Sequence, residues 1–327
     1  MDIDQASNEM KHIFGPVPTH RLGRSLGIDP VTSKTCNWNC VYCQLGRTVP
    51  LQNERREYIP TEVIRQEIES ALAKFTKDEV DWVTFVGSGE TTLHTGLGEL
   101  IQSARVLTNI PIAVITNGSL LSQPEVREEL KTADAVLPAL DAGNADLYRK
   151  INRPWPKLTF EALVNGLVAF RHEYTGKLWI EVMLVKELND TEEALREIST
   201  VLSRIHPDLV HLAVPDRPPA EPWVKPADEM GIMRAMAILS GYTNVVYPAV
   251  GKFEIRKSGN ISDQILAIIT RHPVLEQDLV CGLEKHLSAE EIQAVFNDLL
   301  ASGKAQVVNR YGRRFICLGS AQYPPGK

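Results

Sequence analysis

Three of the five cysteines, Cys36, Cys40 and Cys43, fall within the short segment KTCNWNCVYC. A C-x3-C-x2-C spacing lets three thiolates converge on one face of a metal cluster. A [4Fe–4S] centre normally takes four cysteines, so a set of three leaves one iron open, and a bound substrate can chelate there. Structural zinc is the competing chemistry, but it takes four ligands, commonly as two close pairs. Cys281 and Cys317 lie far along the chain and form no pair motif. Asn37, Trp38 and Asn39 fit no regular apolar face, which argues against three cysteines simply buried in a core. No Ser-His-Asp set or carboxylate pair stands out to suggest another reaction, and the sequence names no catalytic side chain.

Such a loop needs a scaffold. Residues 25–30, 82–87, 112–118, 135–142, 179–185 and 209–215 are short, nearly continuous apolar runs. Parallel strands covered on both faces look like this. Helical patterns lie between them: residues 61–75 start at Pro60 and Thr61 and align Val63, Ile64, Ile68 and Leu72, and residues 161–172, 191–205 and 227–239 read as further helices. Six βα repeats predict an α/β chain whose parallel strands curl into a partial (β/α)6 TIM-like barrel. A doubly wound open sheet gives the same alternation, and periodicity does not separate the two. Either way, the cysteine loop follows the first strand, at the strand end where parallel α/β folds place their chemistry.

The polar stretch 257–262 ends this pattern and divides the chain into domains 1–257 and 258–327. Helices are expected at 263–270, 275–283 and 288–301, the last with Ser288 as N-cap and Glu291 three residues on. Gly303 ends that helix, and 305–309 with 314–318 read as a hairpin around Arg310 and Arg313. Three helices and a hairpin resemble a winged helix-turn-helix domain, whose third helix would enter the DNA major groove. That helix carries Glu290, Glu291 and Asp298 and no base before Lys304. Residues 263–327 hold seven acids and seven bases, so a protein or peptide partner suits the domain better than DNA. Cys281 and Cys317 are expected in its core.

Over the whole chain 41 acids face 35 bases, and a net charge of -6 argues against a nucleic-acid partner. The first residues, MDIDQASNEMKHIF, lack the apolar stretch of a secretory signal, and no run approaches a membrane span. A tight cysteine triple suits a reducing compartment, so the expected location is cytoplasmic.

The C-x3-C-x2-C loop after a first strand, with Tyr42 just before the third cysteine, resembles the radical S-adenosylmethionine (radical SAM) superfamily. GPVPTHRLGRSLGIDP before it and GSGETTLH after it resemble a subgroup of small iron–sulfur oxidoreductases, related to wyosine-forming tRNA enzymes and glycyl-radical activases. The resemblance runs from about Phe14 to Ile255. It implies two cofactors, a [4Fe–4S] cluster on Cys36, Cys40 and Cys43 and S-adenosylmethionine on the open iron. It also implies a flavodoxin- or ferredoxin-type electron donor, whose electron breaks a carbon–sulfur bond and yields a 5′-deoxyadenosyl radical that takes hydrogen from the substrate. Ser88, Gly89 and Glu90 resemble the glycine-glycine-glutamate motif that binds the methionyl ammonium, with Thr91 where proline is usual and a loop less rigid in consequence. By the same similarity Asn117 and Asp141 are S-adenosylmethionine contacts, and Tyr42 stacks or hydrogen-bonds against adenine.

The substrate divides the readings. The wyosine reading, a radical modification of tRNA, draws on Arg21, Arg24, Arg47, Arg55 and Arg56, but no second cysteine set exists for an auxiliary cluster. The activase reading takes hydrogen from a protein glycine. A peptide or small-molecule substrate is the third and least contradicted. Outside enzymes stands an iron–sulfur redox sensor with a DNA-binding winged helix. Glu181 and Lys186 point oppositely along one strand. Arg153, His211 and Arg217 are expected in salt bridges or caps.

Overall fold

The computed structural model describes residues 11–325 apart from 20, 76–77, 242 and 246–259. The chain enters as an antiparallel hairpin, β1 (Ile13–Thr19) and β2 (Gly23–Ile28). Helices and strands then alternate as α1 (Thr61–Leu72), β3 (Trp82–Phe85), α2 (Leu97–Leu107), β4 (Ile112–Thr116), α3 (Pro124–Leu130) and β5 (Ala135–Pro138). Two helices, α4 (Ala145–Ile151) and α5 (Phe160–Glu173), precede β6 (Lys177–Met183), α6 (Glu192–Ile205), β7 (Leu209–Ala213), α7 (Glu229–Ile238) and β8 (Thr243–Val245).

The eight strands lie side by side in chain order, and β2 to β8 are parallel. A doubly wound sheet reverses its order at a switch point. This one does not, so the sheet is singly wound, in the manner of a partial TIM-like barrel. Among the described residues its edges, β1 and β8, do not pair with each other.

Alternation along the strands sorts the two faces. Leu26, Ile28, Val83, Phe85, Val114, Val136, Ile180 and Val210 join the helices in the main core. Trp82, Ala113, Ile115, Ala135, Leu137 and Trp179 form a separate cluster on the opposite, concave face. On that face, toward the strands' C-terminal ends, Glu181 and His211 sit in register beside each other.

Two strands exceed the six expected. β1 carries Gly15, Pro16 and Pro18, which break the apolar pattern; prolines are tolerated because it is an edge strand, and it bulges between Phe14 and Val17. β8 is three residues long. The expected strands overrun at their C-terminal ends because the buried run continues past the ladder into the rim loops. On α1 the apolar face is Ile64, Ile68 and Ala71, at helical spacing, while Val63 is 41% exposed, contrary to expectation.

The remainder is α8 (Ile261–Ile269), β9 (Val274–Leu275), α9 (Glu276–Leu283), α10 (Ala289–Ala301), β10 (Ala305–Arg310) and β11 (Arg313–Leu318). Its strands form an antiparallel sheet in the order β10-β11-β9. Ile265, Ile269, Leu279, Leu283, Phe296, Leu299 and Ile316 make a core of its own. Ser288 and Glu291 form the expected capping box on α10. Cys317 is buried as expected, but α9 turns Cys281 outward into solvent, so that cysteine is not a core residue. The expected division at 257/258 lies outside the described residues. No helix among the described residues is long and apolar enough to cross a membrane.

Candidate active site

Between β2 and α1 the cysteine loop has little regular structure, so its neighbours set its shape. The three thiols are free and half-buried, and close enough for their charges to affect one another. Each sulfur faces a donor. The Lys34 ammonium lies 3.3 Å from Cys43 Sγ, and the Trp38 amide 3.4 Å from Cys36 Sγ. The Asn152 amide lies 3.7 Å from Cys40 Sγ and that of Asn117 3.9 Å from Cys36 Sγ. Burial, reinforced by the charge of Glu90, pushes the Cys36 thiol up to about 12. Burial and then Asp141 push Cys40 up as well. Thiols so placed ionise against a strongly positive partner, and iron is one. Among the described residues no three His, Cys, Asp or Glu side chains take the compact arrangement of a single-ion site. The donor set, three soft sulfurs supported by cationic and amide N–H groups, fits a sulfur-ligated cluster.

The turn after β3 is built against this loop. A Cβ on Gly89 would stand 1.9 Å from the Thr35 carbonyl oxygen, so only glycine lets the turn lie against the residue before Cys36. Two backbone hydrogen bonds join them, Glu90 N–H to Thr35 O and Lys34 N–H to Ser88 O, both at 2.8 Å. Ser88 spends its hydroxyl on Asp29, 2.9 Å away. The buried Glu90 carboxylate accepts from the Thr92 hydroxyl at 2.6 Å, the Thr116 hydroxyl at 2.5 Å and the Asn117 amide at 2.6 Å. Only the last falls on Oε2, which keeps a lone pair. Burial holds this carboxyl above the ordinary range despite those donors. Thr91 is fully buried and donates to the Ile115 carbonyl at 2.9 Å, so the turn is pinned without the family's proline rather than loosened.

Asn117 and Asp141, ending β4 and extending β5, reach the same rim. The Asn117 side chain donates to Asn37 Oδ1 at 2.7 Å and so turns toward the cysteine loop. Asp141 accepts from the Tyr42 hydroxyl at 2.5 Å, Asn152 at 2.6 Å and the Met183 amide at 2.8 Å. The Tyr42 hydroxyl is thereby committed to Asp141. Lys34, Asn37 and Asn152 were not singled out by sequence reasoning. Of these only Lys34 and Asn37 sit in the cysteine segment, where proximity to the sulfurs is a readable signal.

The basic residues are mostly neutralised internally. Arg24 pairs with Asp81 at 3.1 Å, Arg55 with Glu129 at 2.5 Å, and Arg21 with Glu181. Arg47 and Arg153 share Glu221, at 2.8 and 2.5 Å, so Arg153 has the salt-bridge role expected of it. Lys186 pairs with Asp228 at 2.9 Å. Arg217 instead donates to the neutral Gln44 Oε1 at 2.7 Å, and neither ring nitrogen of His211 has a partner.

The C-terminal segment touches the cysteine loop directly. The Arg47 amide donates to the Gln322 carbonyl at 2.9 Å, and the Tyr323 hydroxyl donates to the Gln44 carbonyl. Arg271, beyond α8, lies 3.6 Å from Asp29 and 4.6 Å over the Phe14 ring.

The sequence matches the radical SAM superfamily over residues 31–198, which span the cysteine loop, the Gly89 turn and the rims of β4 and β5. A UPF0026 protein of Methanocaldococcus jannaschii is 36% identical over 292 residues, 87% of this chain and 90% of that protein. The GTPase Obg of Brachyspira hyodysenteriae is 43% identical over 207 residues, 63% of this chain, and the match spans 30% of that protein. Among solved structures, Streptococcus suis SuiB bound to S-adenosylmethionine has a TM-score of 0.50 at 18% identity, covering 69% of this chain and 50% of that one. That likeness is one of fold.

Proposed function

The chain belongs to the radical SAM superfamily and to the UPF0026 proteins, and from that premise we propose that it is a radical enzyme acting on a peptide, protein or small-molecule substrate. Its cofactors are those of the superfamily, a [4Fe–4S] cluster and S-adenosylmethionine. When bound, they supply the reductive cleavage that generates a hydrogen-abstracting radical. In this reading Cys36, Cys40 and Cys43 hold the cluster, with Lys34 offsetting sulfur charge at Cys43. The backbone of Ser88 and Gly89, with Glu90 Oε2, receives the ligand's ammonium; Asn117 lies beside it. Asp141 acts through Tyr42, fixing the ring that lies against adenine.

One observation carries the reading: the Gly89 turn and the cysteine loop are in backbone contact, so the ammonium-binding motif and the sulfurs form one surface. The tRNA reading is weakened because four of the arginines it leans on are ion-paired. We read the C-terminal helices and three-stranded sheet as a winged-helix-like docking domain for a protein or peptide, since α10 is acidic and would repel phosphates. The electron comes from a flavodoxin- or ferredoxin-type protein.

Anaerobic reconstitution tests the proposal. About four irons per chain are expected, lost in the triple Cys36→Ala, Cys40→Ala, Cys43→Ala variant and retained when Cys281 and Cys317 are replaced. Full iron in the triple variant would refute the assignment.

A further inference from the structure

We propose that the concave face of the barrel carries a binding subsite for a compact oxyanion of the substrate, a carboxylate or a phosphate, formed by Arg217 and His211 and closed by Arg271 from the C-terminal segment. It rests on reading the neighbouring rim as the seat of the radical chemistry.

His211 is 2% exposed and neither of its ring nitrogens finds a partner. Its neighbour in register is Glu181, whose Oε2 lies against the Arg21 guanidinium and also lacks a hydrogen-bond partner, and the edge of Trp179 holds the imidazole in place. Buried polar atoms left unpaired are uncommon in native proteins, and they mark places where a ligand completes the set. Arg217 makes the same point with charge. A guanidinium offers five donors, yet this one gives a single hydrogen bond to a neutral amide. Among the described residues no carboxylate lies within ion-pair distance of it, whereas Arg21, Arg47, Arg153 and Arg271 each have one. Asp216, next along the chain and exposed, acts on it only through space, so the guanidinium lacks a contact counter-ion, and its planar fork is the geometry that receives carboxylate or phosphate.

The three guanidinium groups stand close together. Gln44 accepts from Arg217 at 2.7 Å and donates to the Arg271 carbonyl at 3.4 Å, while burial and then Arg217 hold Arg21 down to about 10, and burial and then Arg21 lower His211. An arriving anion relieves that repulsion. Arg271 has a side chain only 10% exposed; its Nη atoms donate to the Ala267 and Lys11 carbonyls, at 2.9 and 2.6 Å, while its Nε faces Asp29 at 3.6 Å without a hydrogen bond. The subsite adjoins the cluster loop, because Gln44, the partner of Arg217, follows Cys43 directly. Cover from the C-terminal segment favours a small anion over a nucleic-acid backbone, which needs an open groove to run along.

The test is calorimetric titration of the anaerobically reconstituted full-length protein with inorganic phosphate and, separately, with succinate at low ionic strength. Saturable one-to-one binding of either supports the subsite, the tighter anion naming the group it receives. Arg217→Gln should weaken that binding at least tenfold and His211→Gln severalfold. Arg24→Gln, which breaks an exposed pair with Asp81, should leave it unchanged. If Arg217→Gln does not fold, Arg217→Lys keeps the charge, loses the fork and must show the drop. No saturable binding of either anion by the wild type, or wild-type affinity in the Arg217 variant, overturns the proposal. Failure of the wild type to take up iron would instead strike at the cluster reading, and the same titration on iron-free protein keeps the two apart.

Discussion

Replacing Gly89 by alanine should cost the protein its cluster although no ligand is touched. The new Cβ would stand 1.9 Å from Thr35 O and 2.6 Å from Thr35 C, both backbone atoms that cannot rotate away. To restore ordinary contact at 3.4 Å the two segments must part by about 1.5 Å. That movement breaks the 2.8 Å bond from Glu90 N–H to Thr35 O and drags Cys36 with it. Overpacking of this kind costs about 1–3 kcal/mol, and a buried amide left without its acceptor a similar amount. The sum is on the order of 3 kcal/mol, more than a hundredfold in any equilibrium that needs this geometry. Iron and sulfide analysis after reconstitution, with thermal unfolding of the iron-free protein, reads both consequences. Iron should fall below half of wild type and the midpoint by roughly 5 °C or more. Gly303→Ala is the control: nothing lies within 4 Å of its Cβ, and it carries only the strain of a positive φ. A Gly89→Ala protein with full iron and a wild-type midpoint would refute the contact between turn and loop, and with it the single-surface argument.

Glu90→Gln keeps an oxygen for the surrounding donors and removes the charge, so S-adenosylmethionine should bind about tenfold weaker with iron retained; unchanged affinity by calorimetry would leave Glu90 only as the N-cap of the short helical turn Thr91–Leu93, where its side chain accepts from the Thr92 N–H at 3.0 Å. Burial lowers His211 to about 4, so the folded chain keeps it neutral while the unfolded chain protonates near 6.5. This group's contribution to stability is therefore lost as pH falls from about 6.5 to 4, at up to about 1.4 kcal/mol per unit. Denaturant titrations should show His211→Asn flattening that slope, and an unaltered slope would count against a neutral buried imidazole. Truncation before Ala321 removes the Gln322 and Tyr323 contacts to Arg47 and Gln44. Cluster absorbance should then bleach severalfold faster in air, and an unchanged half-life would show that this segment does not shield the loop.

The sequence displayed the cysteines, the alternation of strands and helices and the acidic α10, because each is written in local spacing. It displayed β1 poorly, since Gly15, Pro16 and Pro18 are strand breakers that only an edge position accommodates. Strand ends were misjudged for a related reason: the apolar run at residues 82–87 continues beyond the ladder that stops at Phe85. Cys281 shows the limit of composition, because a free cysteine is usually buried and here the helix face decides otherwise. Thr91 shows the limit of motif comparison. Losing proline looked like lost rigidity, yet a hydroxyl bond to the next strand supplies the restraint by other means.

What no local pattern could supply is the shape of the cysteine loop itself. With no ladder or helix to fix it, its geometry is imposed by groups remote along the chain. Asn117 reaches Asn37, Asp141 takes the Tyr42 hydroxyl, Asn152 lies against Cys40, and Gln322 holds Arg47. The three cysteines are thus encoded in one decapeptide and their placement in the whole fold. The C-terminal segment belongs to that placement. Gly46 has a φ of +77°, and any Cβ there would come within 2.6 Å of the Gln322 carbonyl oxygen. A glycine in the loop is matched to a backbone more than two hundred residues away. A segment that merely hung from the barrel would not need that match, so the C-terminal segment and the cysteine loop pack as one unit.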